Sequence, residues 1–261
     1  MTWPEEAVAG GAAEASGVHP IEAESYRILR SRIDLSRLPR FSRDVTERVI
    51  HASADFDYAT DLVCDEGALA AGVQALAGGA AVVADTEMVA AGITARDVVC
   101  KIREPLSERL ARTAAITRAA AAVRLAFGEV GPGAVWVVGC APTALAEILT
   151  RNVEPAFVVG LPVGFVGAAE AKDALRASGL RSVTNVSEKG GSAVAAAAVN
   201  AMFRVAAGQP DPAGGEDDGP GPRSDPTAAG AGRPRQPGRR GRGRVPRAGG
   251  PAEGTAGSRG H

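Results

Sequence analysis

Residues 134–151 read AVWVVGCAPTALAEILTR, and this stretch decides the fold. The run AVWVVG at 134–139 is almost continuously apolar, which is typical of a strand covered on both faces. After a loop of small residues, the run PTALAEILTR has the pattern of a helix. A buried strand followed at once by a helix predicts one unit of an open, mainly parallel α/β sheet.

The same alternation continues on both sides of this unit. Further predicted strands cover residues 80–85, 97–102, 156–161 and 181–186, and helical runs lie between them, including one long helix over 106–127. Two more helices are predicted before the first strand, over 21–35 and 42–53, the second with Asp44 and Glu47 as its cap. The sequence therefore predicts an α/β protein.

Composition divides the chain into three parts. The whole chain is 45% hydrophobic but only 4% aromatic, so its core must be built mostly from Ala, Val and Leu. Residues 209–261 contain 9 Pro and 14 Gly among 53 residues, which predicts a disordered tail. We expect a flexible N-terminus over 1–18 and one folded domain over 19–208.

Charge and targeting signals favour a cytoplasmic protein. The basic run at 233–247 lacks the aromatic residues that an RNA-binding segment would use for stacking, so we expect a solubilising tail and no nucleic-acid partner. The sequence shows no signal peptide and no apolar run long enough for a membrane span. Cys64, Cys100 and Cys140 are too far apart in the chain for a metal-binding pair, so we also expect no metal site.

The segments after the predicted strands indicate where a ligand binds. Residues 85–89, 139–145, 160–172 and 187–193 are rich in glycine, proline and small residues, and ligands of α/β sheets sit at the carboxyl ends of strands. No dinucleotide, Walker or serine-hydrolase motif is present. These residues alone predict an α/β protein that binds an anionic small molecule.

His51 stands in the stretch TERVIHASADFDY, residues 46–58, with Arg48 three residues before it and Asp55 four residues after it. In a continuous helix this spacing places the three side chains on one face. His51 has two interpretations, a histidine bonded to a neighbouring carbonyl or a group that transfers a proton near neutral pH. Arg48 and Arg118 are likewise either exposed helix arginines or anion contacts.

Six segments in order carry a resemblance to a known family: HPIEAESYRILRSRIDLSR, ERVIHASAD, ADTEMVAAGI, GCAPTAL, GLPVGFVGAAEAKDAL and GGSAVAAAAVNAM. Together they resemble the precorrin-8X methylmutases of cobalamin biosynthesis, over roughly residues 19–205. The resemblance implies a flavodoxin-like three-layer α/β/α sandwich with a mainly parallel sheet. It also implies a homodimer with the active site near the subunit interface, and an isomerase that needs no cofactor.

The implied reaction moves a methyl group from C11 to C12 of the tetrapyrrole precorrin-8X and gives hydrogenobyrinate. The resemblance makes His51 the catalytic acid that protonates a pyrrole nitrogen. It further implies hand-over to neighbouring enzymes of the corrin pathway as an additional partnership. The remaining site residues that it implies all bind the substrate: Ser25, Arg48, Thr117, Arg118, Gly191 and Ser192.

Some positions depart from the family pattern, and two alternatives stay open. Cys140 stands where the family usually has Asn, and Ser187 and Glu188 stand where it has Gly and Arg. The same shift on cobalt-precorrin-8, giving cobyrinate, would use the same residues. The other alternative is a non-catalytic tetrapyrrole-binding or carrier protein.

Overall fold

A computed structural model describes residues 18–212 of the chain. The predictions for the segment before Val18 and for the tail after Pro212 lie outside these residues. The elements of the described part follow in chain order: α1 Pro20–Arg32, α2 Arg40–Ser53, α3 Tyr58–Asp61, β1 Leu62–Cys64, α4 Glu66–Ala77, β2 Val82–Ala84, α5 Glu87–Gly92, α6 Pro105–Ala114, α7 Arg118–Val130, β3 Val135–Val138, α8 Pro142–Arg151, β4 Phe157–Gly160, α9 Ala168–Ala177, β5 Ser182–Asn185 and α10 Ser192–Ala206.

The five strands form one sheet in the order β1-β5-β4-β3-β2. Strands β2, β3, β4 and β5 pair in parallel, and β1 pairs antiparallel with β5 at one edge. All residues of β3 and β4 are buried, as their continuous apolar sequences predicted. The prediction of an α/β fold with a mainly parallel sheet is confirmed.

Helices cover both faces of this sheet. On one face α2, α4, α5 and α10 pack on alternate strand residues such as Val135, Val137 and Phe157. On the other face α7, α8 and α9 pack on Trp136 and Val158. Successive strand residues point to opposite faces, so one short strand supplies both cores. The predicted three-layer α/β/α sandwich is confirmed.

Three local predictions were wrong, and one strand was not predicted. Residues 97–102 form no strand and contribute a single bridge, Val99 to Val83. The long helix predicted over 106–127 is two helices, because Ala115 adopts a left-handed conformation (φ 50°) and α7 starts anew. Edge strand β1 was not predicted, because three residues are too few to show a pattern.

The third wrong prediction concerns the start of α2. This helix begins at Arg40, so Asp44 and Glu47 lie inside it and do not cap it. Glu47 is buried and accepts two hydrogen bonds from the Arg30 guanidinium of α1, at 2.9 and 2.7 Å. The apparent capping pair is therefore in part an inter-helix ion pair, which fixes α1 across α2.

Candidate active site

His51 lies in the last turn of α2, where α1 crosses it. Its Nδ1 is 2.8 Å from the hydroxyl oxygen of Ser25 on α1. The Tyr26 ring stacks on the imidazole with 4.9 Å between ring centroids and 12° between planes. Adjacent residues of α1 thus hold the ring from two directions, one by a hydrogen bond and one by aromatic contact. His51 is only half-buried, so part of the ring remains open to a ligand.

The surroundings of His51 lower its pKa below the usual value. Partial burial is the main cause and the positive charge of Arg48 is the second, while the carboxylate of Glu22 acts in the opposite direction. A lowered pKa reduces the protonated fraction at neutral pH, but it makes the protonated ring a stronger acid. When the Ser25 hydroxyl donates to Nδ1, the proton of the neutral ring resides on Nε2.

Arg48 lies one helical turn before His51 and belongs to an ion-pair group. Its Nη1 is 2.7 Å from Oε1 of Glu22, and Nη1 of Arg204 on α10 is 3.2 Å from the same oxygen. Arg48, Arg204 and Arg96 also line an open cleft of about 720 Å³. A ligand carboxylate could compete with Glu22 for these guanidinium groups, which bind carboxylates well.

The structure separates Asp55 from the face that carries Arg48 and His51. Ala54 has φ 53° and ends α2, so Asp55 lies beyond the helix. Its carboxylate accepts a hydrogen bond of 2.7 Å from Lys189 Nζ, which lies in the loop after β5. The expectation of three side chains on one helical face was therefore wrong for Asp55, and correct for Arg48 and His51.

Gly191 and Ser192 open α10 and form a second group at the carboxyl end of the sheet. Gly191 has φ 127° and donates its N–H to the carbonyl of Leu161 at 2.9 Å. The Ser192 hydroxyl is 2.7 Å from the Sγ of Cys140, which in turn lies 3.3 Å from the hydroxyl of Thr86. Cys140, which stands where the family usually has Asn, thus connects the ends of β2 and β3 to the start of α10.

Asp85 is a residue of this region that the sequence interpretation did not single out. It is buried at the end of β2 and accepts the backbone N–H groups of Gly139, Cys140 and Ala141 at 3.1, 2.8 and 2.7 Å. Burial raises its pKa, and these three hydrogen bonds oppose that rise. An aspartate directly after a fully apolar strand is the signal that points to such a loop anchor.

Thr117 and Arg118 form the third group, at the start of α7. The Thr117 hydroxyl caps the helix by accepting the N–H of Ala120 at 3.2 Å, and it lies 2.7 Å from the hydroxyl of Thr143 on α8. Arg118 is exposed, and within residues 18–212 it has no hydrogen bond or ion pair. A free, exposed guanidinium remains available to an anion from solution.

The predicted site residues fall into three groups, two of which lie where the parallel strands finish, at the starts of α7 and α10. Ser25, Arg48 and His51 come together on α1 and α2. Gly191 with Ser192 and Thr117 with Arg118 begin two other helices. Among residues 18–212, no group of three or more His, Cys, Asp or Glu side chains is arranged to hold a metal ion.

A half-buried serine–histidine pair beside several arginines is typical of an enzyme that moves a proton on an anionic substrate. The chain belongs to the precorrin-8X methylmutase family, whose profile matches residues 20–205. Members of this family are isomerases of cobalamin biosynthesis, so the chain is a methylmutase.

Similar proteins carry two different substrate names. The chain is 42% identical to a cobalt-precorrin-8 methylmutase of Salmonella typhimurium and 41% identical to a precorrin-8X methylmutase of Pseudomonas aeruginosa. Each match covers 70% of this chain and 93% of the relative. A crystal structure of precorrin-8X methylmutase from Thermus thermophilus superposes with a TM-score of 0.66 at 36% identity, covering 72% of this chain and 96% of that one.

The region of the chain that the structure describes contains no helix long and apolar enough to cross a membrane.

Proposed function

We propose that this methylmutase moves the C11 methyl group of precorrin-8X to C12 and releases hydrogenobyrinate, with His51 as the acid. The observation that carries the proposal is the 2.8 Å contact between Ser25 Oγ and His51 Nδ1, because it orients a half-buried imidazole one helical turn from Arg48. An acid of this kind must be held in place while its other nitrogen faces the substrate.

In this reaction His51 gives a proton to the substrate and later takes it back. The His51 imidazolium gives its proton to a pyrrole nitrogen, the altered conjugation favours the 1,5-sigmatropic methyl shift, and the proton then returns to the imidazole. Substrate and product are isomers, so no atom and no electron is gained or lost overall. The depressed pKa of His51 helps the forward transfer, because the protonated ring gives up its proton readily.

The other predicted residues would bind the acidic side chains of the macrocycle. Arg118 is exposed and unpaired within the described region, and Arg48, one helical turn before His51, lines the cleft together with Arg96 and Arg204. Ser192 at the start of α10 offers hydrogen-bond donors to a carboxylate, and Gly191 before it, whose N–H is already bonded to the Leu161 carbonyl, leaves open space for a close approach. Thr117, whose hydroxyl meets that of Thr143, supports the neighbouring helix starts and offers a further polar contact.

The same shift on cobalt-precorrin-8, giving cobyrinate, is the second candidate, because relatives of both names match this chain almost equally well. A carrier that binds the tetrapyrrole without converting it is the third. We further propose that the enzyme works as a homodimer and hands its product to a neighbouring enzyme of the corrin pathway.

An anaerobic incubation with precorrin-8X, followed by visible spectroscopy and mass measurement, tests the proposal. A new chromophore at unchanged mass, formed by the natural protein and not by His51→Ala, supports the isomerase and its acid. Conversion of cobalt-precorrin-8 alone would transfer the proposal to that substrate. Tight binding of both tetrapyrroles with conversion of neither would identify a carrier. Light scattering of the purified protein tests the dimer.

A further inference from the structure

Lys172 on α9 is a lysine with no exposed surface. Its ammonium nitrogen donates to Oδ1 of Asn185 at 2.9 Å, to the carbonyl oxygen of Ser187, and to the carbonyl oxygen of Lys189 at 2.7 Å. All three acceptors belong to residues 185–189, the end of β5 and the start of the loop to α10, which we call the β5–α10 loop. A buried ammonium with three protons and three oxygen acceptors is fully satisfied.

The β5–α10 loop connects to the helix that carries His51. The loop residue Lys189 places its own ammonium 2.7 Å from the carboxylate of Asp55 and 2.6 Å from that of Asp57. Asp55 follows α2 directly after the left-handed Ala54, four residues beyond His51. Lys172 bonds to the backbone carbonyl of Lys189. The side chain of Lys189 in turn bonds to the segment that follows α2, the helix that carries His51.

The other end of the loop leads into the start of α10. Gly190 has φ 149°, and its neighbour Gly191 has φ 127°, so both adopt conformations that other residues rarely take. The N–H of Gly191 is held by Leu161 in the loop after β4. Fixing the carbonyl of Lys189 therefore also fixes the backbone that presents Gly191 and Ser192.

Among residues 18–212 no carboxylate contacts the Lys172 ammonium directly, and this makes its charge sensitive to pH. Burial lowers the pKa of Lys172 to about 8; the carboxylate of Asp61 and that of Glu188 oppose this effect, and the nearby Arg176 adds to it. Of these groups, Asp61 also bonds to the β5–α10 loop itself, because its carboxylate accepts the N–H and the hydroxyl of Ser187. After losing a proton, the amine has two hydrogens for three acceptors.

We propose that Lys172 is a positioning residue: its buried ammonium clamps the carbonyl groups of Ser187 and Lys189 and so holds both the His51 helix end and the start of α10 in their working arrangement. The effect on turnover rests on the proposed role of His51, and the effect on the loop does not. Glu188, at the departure from the family pattern, is exposed, so the clamp acts through backbone carbonyls and requires no particular side chain there.

Hydrogen exchange combined with kinetics tests this proposal. The chain has three lysines, so Lys172→Met can be matched by Lys101→Met, a lysine paired with Glu104 and Glu129 on another part of the fold. We would measure the protection factors of backbone amides 187–191 between pH 7 and pH 9.5, together with kcat and KM for the tetrapyrrole that the natural protein converts.

Natural protein and Lys101→Met should both lose protection of the loop about tenfold per pH unit above pH 8, as the clamp deprotonates. In Lys172→Met the loop should be at least tenfold less protected already at pH 7, with no further step near pH 8, and kcat should fall at least tenfold. A uniform loss of protection over the whole protein would indicate only a packing defect and would overturn the proposal.

One result would overturn it even if Lys172→Met does not fold: backbone amides 187–191 of the natural protein that are no better protected at pH 7 than the amides of exposed loops. If the natural protein converts no tetrapyrrole, the proposed function fails, while the exchange data still decide whether the clamp exists. If it turns over and Lys172→Met matches Lys101→Met in both measurements, the clamp alone is refuted.

Discussion

Replacement of Ser25 by alanine tests the orientation of His51 most directly. The change removes one hydroxyl group and with it the 2.8 Å contact to Nδ1, and it leaves the Tyr26 stacking in place. Alanine is also a good residue for the interior of α1, so the helix itself should keep its stability. The expected consequence is an acid that is still present but spends part of its time wrongly oriented.

The size of the effect follows from the hydrogen bond that is lost. A hydrogen bond of this kind contributes about 0.5–1.5 kcal/mol net, which corresponds to a roughly 2- to 10-fold lower kcat if it is fully used in the transition state. Loss of the acid itself in His51→Ala should cost far more, about 100- to 10,000-fold, the usual contribution of a positioned general acid. Comparing the loss of kcat in Ser25→Ala with that in His51→Ala therefore separates the contribution of orienting the imidazole from that of the proton transfer itself.

The assay is single-turnover conversion of the tetrapyrrole, followed by its visible spectrum under anaerobic conditions. Ser31→Ala provides a matched control, because Ser31 lies on the same helix, is exposed and bonds only to the carbonyl of Ile28. A kcat of Ser25→Ala equal to that of Ser31→Ala would show that the contact does not orient the acid. A loss as large as that of His51→Ala would show that Ser25 itself takes part in the proton transfer.

Three further predictions concern pH, backbone strain and the tail. Because the pKa of His51 lies below about 6.5 and the acid must be protonated, kcat/KM should fall with slope −1 as pH rises through that lowered pKa; a profile flat from pH 5 to pH 8 would contradict the acid role. Gly190→Ala should lower the free energy of unfolding by about 2 kcal/mol or more in denaturant titrations, because a β-carbon would lie 2.3 Å from the Leu161 carbonyl oxygen. In the control Gly128→Ala, in α7, the new β-carbon meets no atom within 4 Å, so the free energy of unfolding should rise by about 0.5–1 kcal/mol. Removal of residues 213–261 should leave the melting temperature and turnover unchanged, as expected from their composition; a drop of several degrees would show that the tail contributes to the fold.

The proton on His51 also connects pH to stability. The folded protein binds this proton less tightly than the unfolded chain does, so between the lowered pKa and about 6.5 the unfolded state carries more protons. Stability contributed by His51 is therefore present above about pH 6.5 and is lost as pH falls through the lowered pKa. The pH range in which the acid is most active is the range in which its burial begins to cost stability.

The layers of the fold could be predicted from sequence because each central strand is a continuous apolar run. Such a run fits only a sheet covered on both faces, and the helices between the runs supply the covers. Edge elements lacked this signal. Strand β1 has only three residues, and residues 97–102, although apolar enough to suggest a strand, make only the bridge from Val99 to Val83.

Part of the candidate site could also be predicted, because Arg48 and His51 share a helix and spacing within a helix fixes the face. Contacts between elements were not accessible in this way. An aspartate after an apolar strand suggests a loop anchor, but no local pattern shows which three N–H groups, more than fifty residues away, Asp85 binds, or that Lys189 bonds to Asp55. Those pairings depend on how the sheet brings the ends of distant strands together.

The acid assigned to His51 bears on the choice between the two substrates. In a cobalt-free macrocycle a ring nitrogen has a lone pair that can accept the His51 proton. In the cobalt form the metal already occupies the lone pairs of the nitrogens that bind it, so the same proton transfer has no acceptor there. The proposed acid role of His51 therefore favours the cobalt-free reaction. An enzyme that converts cobalt-precorrin-8 equally fast would have to use the imidazole in another way, such as hydrogen bonding to the periphery of the ring, and His51→Ala would then cost closer to the tenfold effect of one hydrogen bond than to the effect of a lost acid.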